Sequence, residues 1–208
     1  MVIGMTKQIV YIHGGESYED YNSFLQRLNT KEIWDLPSPQ PFNKWITHFA
    51  SDLGDEYVVF KPKMPNSENA KYDEWKVWFE RHFEYLTNDT ILIGCSLGAM
   101  FLIKYLIENK TPFSVKALFL MAAAIGEVNS NHKDCEDFLF SLEDTYKILD
   151  KVGKIKILHS RDDFLVPYEH AEKLHASIPG SELVTFDDKN HFIVEEFPEL
   201  VEEIKGLE

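Results

Sequence analysis

Short runs of uninterrupted apolar residues recur along the chain, each bounded by turn-forming or charged residues. They are Gln8–His13, Glu56–Lys61, Thr90–Gly94, Lys116–Ala122, Lys154–His159 and Glu182–Phe186. Runs of this length, rich in Val, Ile and Leu, suit strands buried on both faces, as in a parallel sheet. Between them the apolar positions fall three and four apart, which predicts helices over Phe42–Leu53, Tyr72–Leu86, Leu97–Glu108, Tyr168–Ser177 and Phe192–Lys205. Strand and helix alternate over nearly the whole length. That order predicts an α/β chain, a doubly wound and mostly parallel sheet of about six strands with helices on both faces. Pro167 before Tyr168 fits a helix start, and Pro179-Gly180 fits a helix stop.

Two connections exceed what a βα unit needs, 16–41 and 126–151. Long connections in small domains often cover active sites. The second carries an amphipathic piece, Asp137–Leu149, and both are expected to lie over a site. The proline-rich run from Asp35 to Pro41 reads as a loop. With 208 residues the chain is expected to form one domain, 1–208.

Motifs at three strand ends suggest chemistry. Gly94-Cys95-Ser96-Leu97-Gly98 follows one apolar run and opens the next helical segment. In that setting G-x-S-x-G forms a sharp turn that lifts the serine hydroxyl above the sheet edge. The two glycines remove side chains that would collide with neighbouring elements, and the helix start offers free amides to developing negative charge. Cys95 is set aside as a nucleophile, because such a turn sends the residue before the serine into the core.

A serine hydroxyl needs a base, and the base needs an orienting acid. Asp163-Phe164-Leu165-Val166-Pro167 follows the fifth apolar run as D-x-x-V-P, which selects Asp163 over Asp162. His191 follows the last run directly. The chain order serine, acid, histidine is the one this kind of sheet uses. Ser96, Asp163 and His191 are therefore the expected catalytic triad. His13-Gly14-Gly15 after the first run predicts an oxyanion hole built from the backbone N–H groups of Gly15 and Leu97, with Glu16 as a substitute for Gly15. Glu16, Tyr18, Trp34, Phe164 and Phe192 are candidate substrate-binding residues. For the four aromatic ones a core role is the alternative.

These elements resemble the α/β-hydrolase superfamily from Gln8 to Lys205. The segment from Lys61 through Met64-Pro65 to Trp75, with the elbow sequence GCSLGA, is similar to the small retinoblastoma-binding-protein-9-type serine hydrolases. The resemblance implies a compact sheet without the superfamily's first two strands and without a large lid. Asn190 stands where a glycine usually precedes the histidine in that pattern, and Gly15 replaces a bulkier residue.

Composition narrows the rest. A formal net charge of -14 leaves no basic surface for nucleic acid and disfavours anionic membranes. Two cysteines, Cys95 and Cys135, make no CxxC pair, and the first residues carry no signal-peptide pattern, so a cytoplasmic protein is expected. No HExxH-type spacing suggests a metal, and no GxGxxG suggests a dinucleotide, so no cofactor is expected. The expected activity is serine-dependent cleavage of small carboxylic esters, thioesters or lactones through an acyl-enzyme, by a monomer or small homo-oligomer. The alternatives are a weakly active or inactive hydrolase scaffold serving as a protein-interaction module, and an acyltransferase.

Overall fold

Along the first strand, side chains alternate between two hydrophobic layers: Ile9 and Tyr11 join one, Val10 and Ile12 the other. The same alternation in the central strands makes the sheet two-faced, so each face must be covered by helices. A computed structural model describes residues 6–33, 42–126 and 136–207. Its strands are β1 (Lys7–Ile12), β2 (Tyr57–Phe60), β3 (Thr90–Cys95), β4 (Val115–Met121), β5 (Val152–Ser160) and β6 (Glu182–Phe186). They form one six-stranded sheet in the order β2-β1-β3-β4-β5-β6, with every neighbouring pair parallel.

Among the described residues six α-helices accompany them: α1 (Tyr21–Thr30), α2 (Phe49–Leu53), α3 (Tyr72–Glu80), α4 (Leu97–Glu108), α5 (Glu169–Ser177) and α6 (Pro198–Lys205). Trp75 and Phe79 of α3, most of α4 and Leu174 of α5 fill one layer. Phe49 and Leu53 of α2 pack with Leu200 and Ile204 of α6 in the other. Each such fully buried side chain contributes about 1.5–3 kcal/mol of transfer free energy. The chain order reverses direction across the sheet at β1 and β3. Ligands in such sheets bind beyond the carboxyl ends of the strands at this reversal.

Several boundaries differ from the expected ones. The segment expected as one helix over Phe42–Leu53 is a 3₁₀ turn, Trp45–Thr47, followed by α2. The last helix begins at Pro198, not Phe192, because Asn190 (φ 42°) and Phe192 (φ 54°) adopt left-handed backbone that an α-helix cannot continue. Proline at the first helical turn, whose missing N–H costs nothing there, is the start signal. Within the long 16–41 connection lies a helix not anticipated, α1, capped by the Asp20 carboxylate on the Ser23 amide at 2.7 Å. The 3₁₀ segment Leu142–Ile148 of the second connection packs on α4 and α5. Trp34, the rest of the proline-rich run, and Cys135 lie outside the described residues. Among the described residues no helix is long and apolar enough to cross a membrane.

Candidate active site

The end of β3 and the start of α4 set the first functional group. Ser96 has φ 55° and ψ −121°, a strained conformation for a residue with a side chain. It is held there by its own amide, which donates to Met121 O at 2.8 Å, and by its carbonyl, which accepts from Ala99 N at 2.9 Å. The flanking glycines are required by contact. A Cβ on Gly98 would sit 2.2 Å from Ile12 O, and one on Gly94 would sit 2.6 Å from Ala99 Cα. The helix can therefore start against the end of β1 only if both lack side chains. Cys95 points into the layer with Phe119 and Met121, and burial pushes its thiol up to about 12.

The loop after β1 reaches the serine from the other side. A Cβ on Gly14 would lie 3.2 Å from Ser96 Cβ. His13 shapes this loop. Met64 N–H donates to its Nε2 at 2.9 Å, so the ring proton sits on Nδ1 and is donated to Gly14 O at 2.6 Å. The amide of Glu16 donates to Ser67 O at 2.8 Å. It is therefore occupied, which removes Glu16 as the substitute oxyanion donor. The amides of Gly15 and Leu97 make no hydrogen bond among the described residues.

The acid and base loops form one bonded unit. His191 Nδ1 lies 2.8 Å from Asp163 Oδ2 and 3.1 Å from Oδ1. A carboxylate accepts, so Nδ1 carries the proton and the neutral ring leaves Nε2 bare. The Asp163 carboxylate is fully enclosed, and its Oδ1 accepts from the amides of Leu165 (2.8 Å) and Val166 (2.9 Å). Burial pushes its affinity for a proton up, but the His191 bond and these amides outweigh it and hold the carboxyl below the usual range. Asp162 has a separate task. Its Oδ1 accepts from Ser160 Oγ and, at 2.8 Å, from the amide of Asn190, tying the acid loop to the histidine loop. Asn190 then accepts from Ile193 N at 2.9 Å, closing the turn around His191.

Ser96, His191, Gly15 and Phe192 line one cavity of about 490 Å³. Tyr11, Trp45 and Ile46 give it an apolar side; Glu16, Lys31 and Glu68 give it a charged one. Of the expected substrate-binding residues, Glu16 and Phe192 are at its wall. Tyr18 is not; it is buried and donates to Glu16 Oε2 at 2.5 Å, bracing that carboxylate from behind. Phe164 is exposed, its ring 6.4 Å from that of His191, and it does not line the cavity. Nothing in 137–149 lines it either, so this part of the second connection does not cover the site. Trp45 escaped the sequence reading as a site residue. Its signal is only spatial, since it meets the histidine loop across 147 residues of chain. Among the described residues no group of His, Cys, Asp or Glu is arranged to hold a metal.

The sequence pattern of one protein family, described as serine hydrolase, matches residues 38–205. The chain belongs to the serine hydrolase family. Solved structures share the fold. The ydeN gene product of B. subtilis superposes with a TM-score of 0.71 at 17% identity, covering 97% of this chain and 98% of its own. The esterase domain of a Rhodothermus marinus protein gives 0.57 at 14%, covering 93% and 81%. A 2-hydroxy-6-oxo-6-phenylhexa-2,4-dienoate hydrolase from Rhodococcus gives 0.63 at 13%, covering 97% and 91%. These serine hydrolase comparisons establish an α/β-hydrolase fold. No curated protein matches the sequence.

Proposed function

We propose that this serine hydrolase cleaves small carboxylic esters through an acyl-enzyme, with Ser96 as nucleophile, His191 as base and Asp163 as its orienter. One observation carries the reading. A serine held in strained backbone and a histidine whose tautomer is set by a buried carboxylate open into the same cavity. His191 Nε2 takes the proton as Ser96 Oγ attacks the ester carbonyl. The amides of Gly15 and Leu97, which have no other partner among the described residues, receive the oxyanion. The leaving alcohol departs with the proton from His191, and water repeats the sequence to release the acid.

Esters suit this site better than peptides, because an alcohol leaves with less activation than an amine. The apolar side of the cavity supports a compact hydrocarbon acyl or alkyl group. The likeness of the Lys61–Trp75 segment to the retinoblastoma-binding-protein-9-type hydrolases supports the same mechanism. On this reading the protein acts on a small molecule, without cofactor, nucleic acid or membrane, in the cytoplasm.

A fluorophosphonate probe tests the assignment. Wild type should label and Ser96→Ala should not, while turnover of a short-chain aryl ester should fall by about 10⁴-fold or more. Labelling that survives in Ser96→Ala overturns the assignment. An unlabelled, folded wild type favours an interaction module, and products captured by added alcohol in preference to water favour acyl transfer.

A further inference from the structure

β5 ends in two polar residues, His159 and Ser160, both with 0% exposure. Ser160 has a visible task, bonding Asp162 and, at 3.0 Å, the Lys189 amide. His159 lies directly beneath the acid loop. Its Nε2 is 2.9 Å from Val166 O, and a carbonyl only accepts, so Nε2 carries the ring proton. The same nitrogen lies 3.4 Å from Asp163 Oδ2. On the far side Nδ1 is buried with no hydrogen-bond partner among the described residues. Leucine would fill this space without a buried nitrogen that lacks a partner, so what the ring supplies is its Nε2–H.

The two oxygens of Asp163 are unequally held. Oδ1 takes the Leu165 and Val166 amides besides lying 3.1 Å from His191 Nδ1, whereas among the described residues Oδ2 meets His191 and His159 alone. With His191 alone, Oδ2 would be fixed by the very ring it is meant to orient. We propose that His159 is a positioning residue for the Asp163–His191 pair: its Nε2–H, shared between Val166 O and Asp163 Oδ2, fixes the carboxylate plane so that Oδ2 stays turned toward His191. The proposal rests on the reading of that pair as the working acid and base.

The task needs a neutral ring, since a cation here would compete with His191 for the carboxylate. Burial keeps the ring neutral by lowering its proton affinity, and the positive charge that forms on His191 acts in the same direction. The other titratable groups nearby are His170, Tyr168, whose ring centroid is 5.8 Å away, and Cys95, which feels the Asp163 charge.

The test follows the rate of fluorophosphonate labelling of Ser96 against pH in wild type, His159→Leu and His159→Gln. His159→Leu should label about tenfold more slowly or worse, with its acid limb moved up by about half to one pH unit, because a carboxylate that loses a donor holds the protonated form of the base more strongly. His159→Gln, which keeps an N–H near the Nε2 position, should recover most of both. A merely structural ring would lower melting temperature without moving the limb. A folded His159→Leu that labels within threefold of wild type along an unchanged limb overturns the proposal. Should that variant fail to fold, ¹⁵N-histidine spectra of wild type decide: the Nε2–H tautomer across neutral pH is expected, and an Nδ1–H tautomer overturns it. A wild type that never labels counts against the hydrolase reading, and the tautomer spectrum still judges this one.

Discussion

Trp45 Nε1 donates to the carbonyl of Phe192 at 3.1 Å, directly after His191 in the chain. The amide of the same tryptophan donates to Val194 O at 3.0 Å. One residue thus clamps the histidine loop at two points, while its ring packs edge-on against Tyr11, Phe49 and Phe197. Both bonds hold a stretch whose left-handed residues, Asn190 and Phe192, would otherwise favour other conformations.

Trp45→Phe keeps most of the packing and removes one bond. It should lower kcat by about tenfold with a smaller effect on KM, since misplacing a base by a fraction of an ångström costs rate more than binding. Steady-state kinetics beside a melting curve check this.

Asp163→Asn should leave the fold intact and reduce kcat by about 10⁴-fold, because an amide that donates to Nδ1 favours the wrong tautomer of His191. A loss of less than about tenfold in kcat would show that the imidazole is oriented by something else.

Gly98→Ala puts a methyl where Ile12 O stands 2.2 Å away. Backbone on both sides leaves nothing flexible to yield, so destabilisation of about 1–3 kcal/mol or more is expected. At about 2–4 °C per kcal/mol for a chain of this size, calorimetry should show the fall clearly.

Stability should decline on acidification in two stages. His159 and His170 are both pushed below the ordinary histidine range, chiefly by burial. Their unfolded forms take up protons near pH 6.5 while the folded forms do not. Stability from this source is therefore full above about pH 6.5 and falls below it, by at most about 1.4 kcal/mol per pH unit for each histidine. Asp163, held below its unfolded value, adds a second loss below about pH 4 as the unfolded chain binds the proton first. Urea midpoints from pH 8 to 3 should fall in these two windows, and His159→Gln should flatten the first.

Lys151 sits at the carboxyl end of α4, donating Nζ to the carbonyls of Leu106, Ile107 and Asn109. These are the oxygens that a helix leaves unpaired at that end. Lys151→Met should cost about 1–3 kcal/mol, read as a lower urea midpoint, with little change in KM.

What was legible in the sequence is what repeats or what chemistry requires at fixed spacing. The six apolar runs name all six strands, because a strand buried on both faces has almost no polar residue to hide its bounds. The elbow is legible because its two glycines answer to contacts within the motif and with the adjacent strand. Phe192–Glu196 misleads, since Ile193 and Val194 extend backward the helical spacing of Phe197, Leu200, Val201 and Ile204, although the helix begins only at Pro198. Helix α1 was overlooked even though Tyr21, Phe24, Leu25 and Leu28 are spaced along one face behind an Asp20 cap. None of its side chains is buried, so its pattern answers to no core face. The Trp45 clamp, the Ser160–Asp162–Asn190 bridge and the buried face of His159 join distant segments, and no local pattern encodes such pairings.

Every strand of the sheet ends on the same side, so most groups that line the cavity are carried by connections, with Tyr11 and Cys95 contributed by the strand ends. Residues 16–33 contribute Glu16 and Lys31 to the cavity, while α1 places no side chain in either buried layer. Helix α1 and Lys31 after it can be rewritten with little disturbance of the scaffold beneath, whereas Glu16, Ser17 and Tyr18 are tied into it. A new substrate preference for this enzyme therefore has an obvious place to arise, at a margin where the cost of change is small.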